Sequence, residues 1–451
     1  MATAYESGVV QARVGAPAAS AERPSARAWY ALVVLVVAMV FGYVDRQILI
    51  LLAQPIKSDL SLSDLQIGET HGLGPAIVAA LAMFPLAWLA DRFERRTVLC
   101  LCVIFWSIAT AASGLAVSFA TLQACTIGIA IGEAALTPIV YSLIPDLFPP
   151  GSRARANIIT YGATALGVGL GFALGGALLG VTGHLRALLP GPLAALETWR
   201  LTFFIVALPG PLVAIAVYLI GATRREVSAA RKSEPVVGVR AYLREHGLVA
   251  LGAFGTMGFF TFALQALGNW LPVALTRNFK ADAASVGVNY GFTFMAGAAV
   301  GLVTAVIITP YWRRVAGTAY VLRAIAVASA GAAVPALLLV FATNTWQVYG
   351  LFFVFSAVFI TGVALMPGMM QDITPTVLRA RVIAGGTVLF MVLGYVSPPL
   401  VGFISDRLSS NPRGLIWAIV AVTIAGLLLC AALARSMEAP YRRTVAAVST
   451  A

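Results

Sequence analysis

The sequence predicts an all-α polytopic membrane protein, with twelve transmembrane helices in two pseudo-symmetric six-helix bundles. Three observations carry this expectation. Of 451 residues, 60% are hydrophobic and only 11% charged, whereas a soluble domain is about one quarter charged. Apolar runs of about 20 residues, the length that crosses a bilayer core, recur along the chain. A loop sequence in the first half also returns in the second.

The apolar runs fall at 28–53, 67–90, 96–117, 120–146, 154–182, 199–221, 247–277, 285–309, 316–341, 345–372, 378–404 and 413–437. The longest polar break, "RREVSAARKSEPVVGVRAYLREHG" at 224–247, divides them six and six. The expected organisation is a tail over 1–27, a first bundle over 28–221, a linker over 222–246, a second bundle over 247–438 and a tail over 439–451. The first run is too long for a signal-peptide core and reads as a retained spanning helix. Cys100, Cys102, Cys125 and Cys430 lie in apolar runs without metal-ligand spacing, so no metal, disulfide framework or cofactor is expected.

Charge sets the expected orientation. Lys and Arg concentrate in cytoplasmic loops. With both termini inside, every one of the 30 such residues lies on the inner side except Arg46, Lys57, Arg186, Arg200, Arg277, Lys280, Arg407 and Arg413. The net charge of +12 is accounted for in this way without a nucleic-acid partner. The partners expected are the lipid bilayer, protons and a small-molecule or lipid substrate, with the chain a monomer.

The repeat lies in equivalent loops. "DLFPPGSRAR" at 146–155 matches "DITPTVLRAR" at 372–381 in its Asp, in Pro three on, and in Arg seven and nine on. Each copy sits between the fourth and fifth span of its half. Six-helix repeats enclosing a site are a transporter architecture.

Between the second and third spans runs "PLAWLADRFERRTVL", 85–99. Its "ADRFERR" resembles the loop signature of the major facilitator superfamily, with Ala87 and Glu94 where that pattern has glycine. In physical terms it reads as a latch. Asp91 would cap the start of the third helix, and Arg92, Arg95 or Arg96 would bridge to Asp146. Such pairs are expected to hold the inner side shut and to break as it opens. Arg153 and Arg379 repeat in the two inner loops and belong to the same candidate gate. In the second half, "TPYWRRV" keeps Arg313 and Arg314 without the Asp, so a second latch would use Asp372.

"GYVDRQ" on the first span and "GIAIGEAALTPIVYSLIPDLFP" at 128–149 on the fourth are similar to the spinster-like branch of that superfamily. The resemblance implies the major facilitator fold and a secondary transporter, coupled to protons, for a lipid-like or amphipathic molecule. It also implies that the first-span acid, Asp45, and the fourth-span acid, Glu133, serve coupling. The branch commonly carries Arg seven residues before that Glu, where this chain has Thr126.

The residues themselves support a buried, charged centre. Asp45 lies roughly 25 Å and Glu133 roughly 20 Å from the inner end of their helices at 1.5 Å per residue, so both approach the midplane. Intramembrane charges default to function, and a carboxyl enclosed in low dielectric can exchange a proton. Arg46 keeps its proton and needs an acid or an anionic substrate. The expected roles are Asp45 as the proton-responsive switch, Glu133 as the second titrating site and Arg46 as partner or anion anchor. Further cavity candidates are Thr126, Tyr161, Gln265, Asn269, Trp270, Tyr290 and Met366, for which plain helix packing is an equal reading. The glycines of the fifth and eleventh spans suit close helix approach, and Pro398 and Pro399 should bend the eleventh near its outer end.

Three histidines and four apolar cysteines supply no catalytic constellation, so an enzyme is not expected. No P-loop appears, and energy should come from an ion gradient. The alternative within transport is a small aromatic or carboxylic acid as cargo. The short tails fit a bacterial inner membrane.

Overall fold

The structure, a computed structural model, describes residues 24–186, 196–221, 237–374 and 378–450. Its first half comprises α1 (Ala26–Leu51), α2 (Ala53–Asp59), α3 (Asp64–Thr70), α4 (Leu73–Arg92), α5 (Arg95–Ser113), α6 (Phe119–Ala134), α7 (Leu136–Leu147), α8 (Pro150–Arg186), α9 (Thr198–Ala207) and α10 (Gly210–Tyr218). The second half comprises α11 (Val237–Asn278), α12 (Ala283–Ala316), α13 (Tyr320–Leu338), α14 (Thr345–Val363), α15 (Met366–Ile373), α16 (Arg379–Tyr395), α17 (Ser397–Arg407) and α18 (Gly414–Thr450). Among the described residues, eleven helical stretches are long and apolar enough to cross a membrane. One of them, Ala283–Phe341, is two spans, because the chain turns at Gly317 with φ of +59°.

Several spans are broken, and the cause is proline. Pro138 has no N–H to give to Ala134 O, and the fourth span opens at Ala135 between α6 and α7. Pro367 does the same to the tenth span, which breaks between α14 and α15. The fourth spans of the two halves therefore break at matched places. Pro398 and Pro399 divide the eleventh span into α16 and α17 at Val396, as the sequence leads one to expect. The second span breaks at His71 and Gly72 between α3 and α4.

Helix extends further than the hydropathy runs. The seventh span begins at Val237, inside the stretch assigned to the linker. The twelfth continues through the expected tail to Thr450. Tyr242 donates to Ile373 O at 3.0 Å and Tyr441 to Met369 O at 3.3 Å. These bonds dock both extensions on α15, and the Ile373 carbonyl at its end has no intrahelical partner of its own.

One apolar cluster runs through both halves, from Ile48 and Phe172 to Tyr290 and Phe359, and a second lies within the first half. Trp106, Leu136 and Val140 lie in the latter, while Phe260 stacks on Phe359 with centroids 4.0 Å apart in the former. The halves meet where small residues let backbones touch. A Cβ at Gly287 would stand 2.6 Å from Gly176 Cα, so α8 and α12 cross in direct backbone contact. A Cβ at Gly68 would stand 2.5 Å from Pro398 O, which presses α3 against α17.

Candidate functional site

α1 carries two charges side by side, and its helical turn of about 100° per residue sends them different ways. Arg46 points into a recess lined by Met39, Gly42, Tyr43, Glu133, Leu136 and Thr137, with 49% of its side chain exposed. Its Nη2 donates to Glu133 Oε2 in an ion pair. Glu133 is buried and sits one residue before the end of α6, where Pro138 has opened the helix. A carboxylate beside a helix carboxyl terminus meets an unfavourable dipole, and the Arg46 guanidinium offsets it. The recess follows α1 toward Met39, that is, toward the Arg95 end of the molecule.

Asp45 lies behind this pair. It is 1% exposed, and the Trp106 indole on α5 is the donor that faces its carboxyl, outside close hydrogen-bond geometry. The two acids of the resemblance are thus placed differently: Glu133 reaches the recess, and Asp45 is sealed from it.

Thr126 is buried and donates to Gln123 O at 2.9 Å on its own helix. The cation that meets Glu133 comes from the first span, as Arg46, and not from position 126.

The other cavity candidates divide. Tyr161 on α8 is half-exposed, and Gln265 and Asn269 on α11 are partly buried. Trp270, Tyr290 and Met366 are packed instead, a correction with a clear cause in each case. The Trp270 indole donates to Pro398 O in the first turn of α17 at 2.9 Å. Tyr290 donates to Gly268 O and stacks on Phe352 at 4.1 Å. Met366 is buried in the apolar cluster that runs through both halves. Tyr43 and Tyr395, which the sequence reading passed over, lie within electrostatic reach of Arg46. Tyr395 brings a second-half hydroxyl toward the first-half charge.

The latch residues also divide. Arg95 Nη1 reaches both Asp146 Oδ2 and Ser142 O at 2.9 Å, joining α5 to α7. Both partners belong to the first half, so the pair braces that half rather than shutting the space between halves. Arg153 donates to Phe148 O and Pro145 O, closing the end of α7. Arg96 pairs with Glu94 at 2.7 Å and donates to Tyr218 O. Arg92 lies over the Trp88 ring. Asp91 caps nothing: the N-cap of α5 is Glu94, and Asp91 is exposed without a partner among the described residues. Among the described residues no second ion-pair latch forms between Arg313 or Arg314 and Asp372. Arg313 turns to Tyr320, Arg314 is exposed, and Asp372 accepts from Tyr441 at 3.3 Å. The side chain of Arg379 and residue Pro375 lie outside what the structure describes.

The links between halves sit at the opposite end and were not anticipated. Asp64 on α3 accepts from Arg277 Nη1 and Nη2 at 2.7 Å each, from Ser405 at 2.7 Å and from Lys57. Arg277 Nε also donates to Gln54 Oε1 at 2.9 Å. Asp406 on α17 accepts the backbone N–H groups of Asp64 and Leu65, both at 2.9 Å. The only signal in the sequence was composition: charged residues at an end that positive-inside bias leaves sparse. Closed at the Asp64 end and recessed toward the Arg95 end, the molecule presents a central ion pair to one side.

Comparison with known proteins agrees with this architecture. The model of the Major Facilitator Superfamily matches residues 34–386. An MFS-type efflux pump of Mycolicibacterium smegmatis is 30% identical over 432 residues, covering 93% of this chain and 94% of that protein. The sphingosine-1-phosphate transporter SPNS2 of Mus musculus is 26% identical over 410 residues, covering 87% and 72%. The crystal structure of a bacterial homolog to the human lysosomal transporter Spinster, inward-facing and unoccupied, superposes with a TM-score of 0.79 at 24% identity, covering 94% of this chain and 99% of that one. The chain belongs to the Major Facilitator Superfamily of membrane transporters, and its likenesses within it run to the spinster-like branch.

Proposed function

We propose that this transporter is a proton-coupled secondary carrier that moves a lipid-like or amphipathic organic molecule by alternating access. The observation that carries this reading is the Arg46–Glu133 pair in a recess open toward one end, with the halves bonded to each other at the other end. An Arg cannot release its proton, so an anionic head group and the Glu133 carboxylate compete for one guanidinium. A proton on Glu133 frees Arg46 for cargo, and its departure restores the pair. Asp45 is the second proton-binding acid.

An apolar body has somewhere to lie. Below Met39 a second recess is lined entirely by apolar residues, Trp29, Leu32, Val33, Val36, Val37 and Ile159. A relative named as a sphingosine-1-phosphate transporter supports the same cargo class. The positive-inside bias supports the Arg95 end, with both termini, as cytoplasmic, and a bacterial inner membrane as the location. The chain acts as a monomer in this reading.

Reconstituted protein should take up a labelled anionic single-chain lipid saturably, and faster when a pH gradient is imposed. Gradient-driven uptake of a small carboxylic acid without any lipid flux would move the assignment to the acid. Flux that ignores the gradient would remove the coupling.

A further inference from the structure

The charged groups at the Asp64 end are not equivalent once the halves part, a consideration that rests on the alternating-access reading above. Asp64 is 2% exposed and is held from two sides. Arg277 and Ser405 belong to the second half, and Lys57 belongs to the first, as Asp64 does. Separation along the seam of α3 and α17 carries Arg277, Ser405 and Asp406 away together. Lys57 stays.

The consequences differ for each partner. Arg277 stands in the last turn of α11, where the helix dipole favours a cation even without its carboxylate. Asp64 keeps one cation, so no charge is left uncompensated in a poorly hydrated place. The start of α3 is provided for in the same way. Asp406 takes the N–H groups of Asp64 and Leu65 across the seam, while Ser63 takes Gln66 N and the Gln66 side chain returns to Ser63 N. After separation the Ser63 capping box remains and the two freed N–H groups face water.

We propose that Arg277 and Lys57 are opposed gating residues acting on the shared carboxylate of Asp64. Arg277, with Asp406, holds this end shut. Lys57 stabilises the separated form, because there it is the last partner of Asp64, whereas in the closed form Asp64 retains the two-pronged Arg277 bond without it. Only a difference in stabilisation between the two forms shifts their populations, so loss of the two cations has opposite effects.

The test is a distance measurement by double electron–electron resonance. Spin labels go on Val117→Cys in the first half and Ser410→Cys in the second, in full-length protein whose four native cysteines are replaced; both sites are exposed. Arg277→Gln and Asp406→Asn should each raise the ratio of separated to closed form at least about fivefold. Lys57→Met should lower that ratio by a similar factor, read in the Asp406→Asn background where the separated form is populated. Shifts of the same sign for Arg277→Gln and Lys57→Met, or unchanged distance distributions in folded protein, overturn the proposal. Flux is measured on the same variants: opposed distance shifts without any flux would keep the gate and discard the transport reading.

Discussion

Arg46 and Glu133, 87 residues apart in the chain, form an ion pair that ties the first span to the broken turn of the fourth. Glu133 is buried while half of the Arg46 side chain remains accessible from the recess. That asymmetry leaves the cation open to an anion and keeps the acid out of bulk water, as the competition proposed above requires.

Glu133→Gln removes the negative partner at nearly constant shape. Gradient-driven flux in proteoliposomes should fall at least about tenfold, since breaking one side of a buried charge pair costs about 2–5 kcal/mol. Arg46→Lys should not restore normal flux, because an ammonium lacks the planar fork. Wild-type flux in Glu133→Gln would end the competition mechanism.

Asp45→Asn exchanges a buried carboxyl, faced by the Trp106 indole, for a neutral group of equal size. Burying an ionisable carboxyl costs more than burying a neutral amide, so the melting temperature should hold or rise. The pH profile of flux should shift, keeping the part that Glu133 carries and losing the part that Asp45 carries, because Asn imitates the proton-loaded acid permanently. An unchanged pH profile would show that Asp45 carries no proton in the cycle.

Arg95 and Asp146 brace α5 to α7 within one half. Arg95→Ala or Asp146→Ala should lower stability by about 1 kcal/mol, as expected for a partly exposed pair, and the charge-swapped double variant should recover part of it in thermal melts. The balance between open and closed forms, read by the spin-label pair described above, should stay put. A large shift toward either form would restore the latch to the role the sequence suggests.

Gly176 and Gly287 bring α8 and α12 into backbone contact. Gly176→Val forces the two halves apart there, at a cost of about 1–3 kcal/mol, and should abolish flux while the protein still reaches the membrane. Gly162 on the same helix has nothing within 4 Å of its missing Cβ, so Gly162→Ala should be neutral in both stability and flux. Equal tolerance at the two positions would mean that the close crossing has no role.

Sequence alone determined the membrane class, the six-plus-six plan and the identity of the central charges. The reason is that hydrocarbon allows few solutions: spanning runs must be long and apolar, and any Asp, Glu or Arg within them stands out. The bend at Pro398 and Pro399 was legible for a similar reason, since a missing N–H acts locally. What only the tertiary structure decided is which charge meets which. Asp45 and Arg46 are neighbours in the chain, yet rotation about the helix buries one and turns the other to Glu133 on a distant span. Asp64, Arg277 and Asp406 are ordinary end-of-helix residues in the sequence, and only the packing of α3 against α17 makes them a seam between halves. Trp270 and Tyr290 read as cavity residues until the fold supplied nearby carbonyls for them to bond. Period and polarity are written along a chain, whereas pairing across it depends on how two rigid bundles are set against each other.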